Sequence, residues 1–445
     1  MRIAKMFLFL FSLSAFFTIS VQAATPTEIL VIQAVSNDSN EAKIAAGKLR
    51  EMRQVGLDVL FEKYSSEINK YIQTGEKSDE WNRISSAIDN VAMQKDAYAS
   101  HLFWLTDFEE AKRISKETGK PILSLRLLGN LNEEFSCANS RFFRAVLYSN
   151  KNISDFLRNN YILHWQSVRP APRITIDFGD GRKIERTVTG NSIHYVLDEN
   201  GAVVNALPGL YDPTNFFTFL LNSDSWLKQA KDFESGKSAG MNNDKINEKR
   251  SAFLKNMRER EFLSLRQLAN LQLGPLKLKF DKKAKASREL EAMPTAIQVA
   301  PIAVTKMSTE ITFLRDIMPD VTKYGAQIDF ESWKKVAQAS FTDGKLDADS
   351  ITFIRHQTGK SNLSEQEFGT LVSKLENLIA LDTVRNNFLL RPTLLVWLNK
   401  DLDKNVDTLN KKVYDELFLT PNEDKWLGLY APDIYTALDG NGITN

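Results

Sequence analysis

Hydrophobic positions change their period twice along the chain. Over residues 39–73 (SNEAKIAAGKLREMRQVGLDVLFEKYSSEINKYIQ), Ile44, Leu49, Met52, Val55, Leu57, Leu60 and Tyr64 recur mostly at three- and four-residue steps, and a second such stretch covers 78–98. Both predict amphipathic helices. Asn37, Asp38 and Ser39 are available as N-caps for the first, Ser78 and Asp79 for the second. From Phe103 the pattern alternates. DFEEAKRISKETGK predicts a helix closing at Gly119, and PILSLRLLG is an apolar run of the length of a buried strand. A polar loop (NLNEEFS) precedes a helix through Cys137 to about Tyr148, and a short helix (NISDFLRNN) leads to the strand YILHWQSV. Two hairpins follow, turning at Gly179-Asp180-Gly181 and at Glu199-Asn200-Gly201, where Asn-Gly supplies the positive φ of a tight turn. Asp212-Pro213 then opens a helix, NFFTFLLN.

After about residue 224 the strand signals stop. Residues 242–272 are charged with helical period, and LEAMPTAIQVAPIAV carries two prolines that make it a connector. From 308 the pattern predicts only helices, among them ITFLRDIM, FESWKKVAQASF, ADSITFIRHQTG, EQEFGTLVSKLENLIALDTVRNNFLL, TLLVWL and residues 406–418. The expected division is an N-terminal helical segment (24–99), an α/β domain (100–224), a helical linker region (225–305) and an all-α C-terminal domain (306–445).

Ahead of all this, Arg2 and Lys5 precede an apolar run from Met6 to about Val21, and Val21-Gln22-Ala23 has the small-x-small form of a cleavage site. Residues 1–23 therefore read as a signal peptide, with an uncleaved anchor as the alternative, and predict a periplasmic or secreted protein. With 57 basic and 56 acidic side chains the net charge is +1, which gives nucleic acid and anionic lipid no strong field to follow. A hydrophobic content of 43% over 445 residues suffices for real cores. One cysteine, Cys137, excludes an internal disulfide, so packing must supply the stability.

That cysteine opens the candidate chemistry. Cys137-Ala138-Asn139-Ser140 has C-x-x-C spacing with serine in the second place, after a buried strand and before a helix. At a helix N-terminus the orphan N–H groups and the dipole favour a thiolate, and a residue three positions on returns to the same side to donate to it. A fall in thiol pKa from roughly 8.5 to about 6.5 would turn the thiolate from a minor into the main species at neutral pH. Such a group attacks disulfides, but without a second thiol a mixed disulfide would wait for an outside thiol to resolve it. Burial among Phe135, Phe142 and Phe143 would instead raise its pKa and silence it.

The run from Trp104 through DFEEAKRISKETGKPILSL, the Cys137–Ser140 segment, the strand ending in HWQSV and the GNSIHYVLDENG hairpin together resemble the thioredoxin-like family, in its exported bacterial branch, over about residues 100–222. The resemblance implies a central mixed sheet flanked by helices, with the motif at the N-terminal end of a helix. It implies that Cys137 stands at the nucleophilic position and Ser140 at the resolving one. Asn139 and Ser192, the latter where thioredoxins carry a cis-proline facing the cysteine, become the candidate substrate-binding residues. Two functions follow: thiol-disulfide exchange with other exported proteins through Cys137, or a non-enzymatic binding or scaffold protein whose helical half meets the partner.

No cofactor is indicated, and no metal: His101, His164, His194 and His356 lack metal-ligand spacing. His164 and His194 fall on strands that could be neighbours, so a Cys-His pair with Cys137 is conceivable. DFGDGR lacks the acidic ligands of a calcium loop. Asp382 and Arg385 are spaced for an intrahelical pair. Phe418, Trp426, Leu427, Leu429 and Tyr430 suggest a tail that packs back on the body, or else an exposed partner surface.

Overall fold

A computed structural model describes residues 25–187, 190–235, 243–273, 335, 337, 342, 344–359, 363–400, 405–418 and 420. The expected signal segment 1–23, the proline-containing connector, the ITFLRDIM helix and the tail residues Trp426 to Tyr430 lie outside the described residues.

The protein is mixed α/β. Helices α1 (Pro26–Gln33), α2 (Ser39–Glu51), α3 (Gln54–Lys63), α4 (Ser65–Thr74) and α5 (Asp79–Ala92) come first. The stretch expected to be one helix over 39–73 is three: Arg53, with a φ of 59°, turns the chain between α2 and α3, and Tyr64, at φ −106° and ψ 24°, interrupts it between α3 and α4. Gly56 then lets α3 close on α2, since a Cβ there would collide with the Leu49 carbonyl. The next helix stops at Ala92, with Met93 left-handed at its end, so residues 97–99 form a separate 3₁₀ turn.

Helix α6 (Phe108–Thr118) ends at Gly119 as its sequence predicts, and β1 (Ile122–Leu128) is buried throughout. The chain then forms α7 (Ala138–Phe142), which widens into a π-helical turn over Phe143–Tyr148, then α8 (Lys151–Asn160) and β2 (Ile162–Arg169). The first hairpin, β3 (Arg173–Asp177) with β4 (Lys183–Thr187), stands as its own two-stranded sheet. The second, β5 (Ser192–Leu197) with β6 (Val203–Pro208), completes the main sheet in the order β2-β1-β5-β6. Strands β1 and β2 are parallel; β5 runs antiparallel to β1 and β6 antiparallel to β5.

Register fixes the faces. Ser124 pairs with His164 and Tyr195, whereas Leu125 pairs with Trp165 and His194, so alternation sends these two sets to opposite sides. The His194 side meets the turn after α7 and α9 (Pro213–Ser235), with Phe143 and Phe216 ring centroids at 4.6 and 4.9 Å. The Ser124 side meets α6, where Phe108 lies 5.2 Å from the His164 ring.

Helix α9 continues past the expected Asn222 to Ser235, because Asp224, Lys228 and the buried Trp226 and Leu227 extend its two faces. It is followed by α10 (Asn243–Leu273), α11 (Ala348–Thr358), α12 (Glu365–Arg385), α13 (Arg391–Asn399) and α14 (Val406–Lys412), the last running into a π-helical turn over Val413–Leu417. These helices share one apolar cluster with the sheet, from Val31 to Phe418. Buried charge also joins them: Arg258 donates to the Val204 carbonyl at 3.2 Å, and Arg391 to Asn205 at 2.7 Å. No helix among the described residues is long and apolar enough to cross a membrane.

Candidate functional site

Cys137 sits where β1 ends. Its N–H donates to the Leu128 carbonyl at 3.0 Å, which returns the loop to the strand and starts α7. Cys137 is the N-cap of that helix, yet its side chain makes no capping hydrogen bond. The thiol instead donates to Ser140 Oγ at 3.5 Å, while the Ser140 hydroxyl lies 2.8 Å from the Cys137 carbonyl and 2.7 Å from Ser136 Oγ. The spacing thus brings the two residues together, but the serine is occupied with its own turn. The thiol is fully buried at 0% exposure.

The other two candidates collect at the same end of the sheet. Ser192 is the register partner of Leu127, and its Oγ is buried without a hydrogen-bond partner. Asn139 is also buried, and its Nδ2 finds no acceptor.

The conceivable Cys-His pair does not form. His164 and His194 belong to the two strands that flank β1, on opposite faces of the sheet. His164 Nδ1 is 2.9 Å from Ser124 Oγ, and His194 Nε2 is 2.8 Å from the Tyr148 hydroxyl. Burial pulls both imidazoles down to about 3, with Arg126 adding to the effect on His164, so both are neutral at ordinary pH. His101 stands 2.9 Å from Asp58, and His356 2.9 Å from the Ile72 carbonyl oxygen, both away from the cysteine. Asp382 and Arg385 approach to 4.0 Å within α12.

Two tyrosines lie beside the cysteine, one from the π-helical turn after α7 and one from the far end of the chain. Tyr148 and Tyr414 are both fully buried, and burial with the neighbouring Cys137 pushes both phenols well above their ordinary value. Tyr414 donates to the Asn191 carbonyl at 3.2 Å, Asn191 Nδ2 to the Phe418 carbonyl at 3.4 Å and to Thr420 Oγ1 at 3.2 Å. Along the same segment Tyr195 donates to Asn410 at 3.3 Å, and Arg126 meets Asp407 at 2.9 Å. Asn405 adds an antiparallel bridge to Ala202. Val406, Leu409, Val413 and Leu417 are buried, an apolar stripe at three- and four-residue steps that seats α14 and its following turn.

Sequence reasoning missed Arg126, Tyr195, Asp407 and Tyr414. One signal for the first was available: an arginine inside the apolar run PILSLRLLG must either break the strand or find a buried counter-charge. No family model, curated protein or solved structure matches the chain.

Proposed function

We propose that the protein is an exported binding protein of thioredoxin-like build in which Cys137 is a packed core group rather than a redox centre. Two features support the thioredoxin-like assignment. The sheet is mixed and flanked by helices, and the Cys137–Ser140 segment opens the helix after the central strand. Export rests on the basic, apolar and small-residue order of residues 1–23.

The observation that carries the binding role is the complete burial of Cys137, with Tyr148 and the C-terminal Tyr414 beside it. A thiol attacks a disulfide only when the sulfur can reach it in line, and reactive cysteines are at least partly exposed. Here the thiol donates to Ser140, and the serine hydroxyl has closer acceptors in its own turn. Thiol exchange remains the second reading because the cysteine does open a helix with serine three residues on; it requires residues 405–418 to lift away.

Incubation of the native protein with oxidised glutathione, followed by intact-mass analysis, separates the two. No adduct over hours at neutral pH supports the binding role. Stoichiometric glutathionylation at the rate of a free cysteine peptide overturns it.

A further inference from the structure

One face of the central strand β1 is polar where a buried sheet is ordinarily apolar. Ser124, Arg126, His164 and Tyr195 share that face and are each at most 1% exposed. Between it and α14 with its following turn lies a cavity of about 260 Å³, lined by Arg126, Gln166, Asp407, Lys411, Tyr414 and Asp415 among others.

Arg126 is poorly matched to its surroundings. Its side chain is 1% exposed, and Asp407 Oδ1 is 2.9 Å from Nη2. That contact is not a hydrogen bond: both Nε and Nη2 are buried without an acceptor. The Nε–Nη2 edge of a guanidinium is the edge that takes a carboxylate through two parallel hydrogen bonds. Asp407, by contrast, is on the exposed face of the first turn of α14, with its side chain 64% accessible. A buried arginine whose partners are one exposed, misaligned carboxylate and the face of the Phe108 ring at 5.5 Å costs stability that an apolar residue would not. The neighbouring Lys411 is held by Asp415 at 2.6 Å, so the lining carries both signs and does not repel an anion outright.

We propose that this cavity is a ligand site for a small carboxylate, bound through the Arg126 guanidinium, and that Asp407 occupies the carboxylate position in the empty protein. The proposal rests on the binding role assigned above and names its ligand class. Ligand entry would exchange one carboxylate for another at Arg126, with Asp407 swinging into solvent, and no covalent step is involved. The dimensions of the pocket suit a molecule of a few carbons.

The test is isothermal titration of the full chain with propionate, with inorganic phosphate as the counter-probe. Asp407→Asn removes the competing carboxylate, so propionate should bind that variant at least tenfold more tightly than the parent. Arg126→Lys keeps the charge but loses the fork and should bind at least tenfold more weakly than the parent, with near-ultraviolet circular dichroism confirming that each variant is folded. Failure of Asp407→Asn to bind propionate, equal binding by Arg126→Lys, or tighter binding of phosphate than of propionate overturns the proposal. Glutathione resistance of Cys137 is measured separately, so a protein that resists glutathione yet ignores propionate loses the site and keeps the binding role.

Discussion

The Tyr414 hydroxyl donates to the Asn191 carbonyl at 3.2 Å, although 223 residues separate them in the chain. Through this bond the last described helical turn closes over the end of the sheet where Cys137 begins α7. Tyr414→Phe keeps the ring but leaves a buried carbonyl short of a donor, and should cost about 1 kcal/mol. Tyr414→Ala also opens a cavity and should cost about 3–5 kcal/mol, by analogy with other buried aromatic truncations. Urea denaturation followed by circular dichroism measures both, and equal, negligible losses would mean that the segment does not seal the core.

Acid should destabilise the protein, and the sign follows from its buried titratable groups. His164 and His194 are held down to about 3 against an ordinary 6.5, so between those values the unfolded chain binds protons that the folded one refuses. Their contribution is complete above pH 6.5 and is lost as the pH falls; at about 1.4 kcal/mol per unit, each gives up about 2 kcal/mol by pH 5. Asp89 works in the opposite direction. Burial pushes it up to about 6 from 3.8, with Lys95 opposing, so it favours folding below that window and loses this contribution as the pH rises through it. Asp198, raised mainly by burial, sides with Asp89, and His101, lowered mainly by burial, sides with the two histidines, whose larger shifts decide the sign. The midpoint of thermal unfolding should therefore drop from pH 7 to pH 5, and His194→Gln should make that drop smaller. A midpoint that rises on acidification would contradict the buried, neutral assignment.

The return of α3 onto α2 depends on an absent side chain. Because a Cβ at Gly56 would meet the backbone of Leu49 rather than a movable side chain, Gly56→Ala should destabilise by about 1–3 kcal/mol or more despite alanine's better helix propensity. Thermal unfolding of the variant checks this, and a rise in the midpoint would refute the close crossing.

Tyr148 and His194 offer a separate test of the opposite face of the sheet. Their contact at 2.8 Å is buried, and His194 Nδ1 already lacks a partner. Tyr148→Phe leaves Nε2 unsatisfied as well and should cost about 1–3 kcal/mol in urea unfolding. A neutral result would show that the ring nitrogen finds another partner.

The parts of this fold legible in the sequence are those set locally. Gly179, Gly181 and Gly201 take positive φ where the two hairpins turn, and Asp212 caps the helix that Pro213 opens by accepting from the Asn215 N–H at 3.0 Å. Helix continuity was harder to read. Nothing in the spacing of 39–73 shows that Arg53 will take a positive φ, nor that Gly56 will bring α3 against the Leu49 carbonyl of α2. The two histidines show the same limit: one position of register in β2 or β5 decides which face each occupies. The site was legible only as a motif. Cys137 and Ser140 do meet, but Cys137 is buried beside Tyr414, and no local rule connects residue 137 to residue 414.

The most direct test of the packed cysteine is alkylation of Cys137 with iodoacetamide in the native protein, compared with the same reaction in denaturant and read by intact mass. A single thiol makes the readout unambiguous. The structure predicts no labelling of the native protein on the time scale that labels the denatured protein fully. It also predicts faster labelling of Tyr414→Ala, since removing that ring opens the cover. Native labelling as fast as denatured labelling, near neutral pH, would contradict the packed thiol and restore Cys137 as a reactive centre.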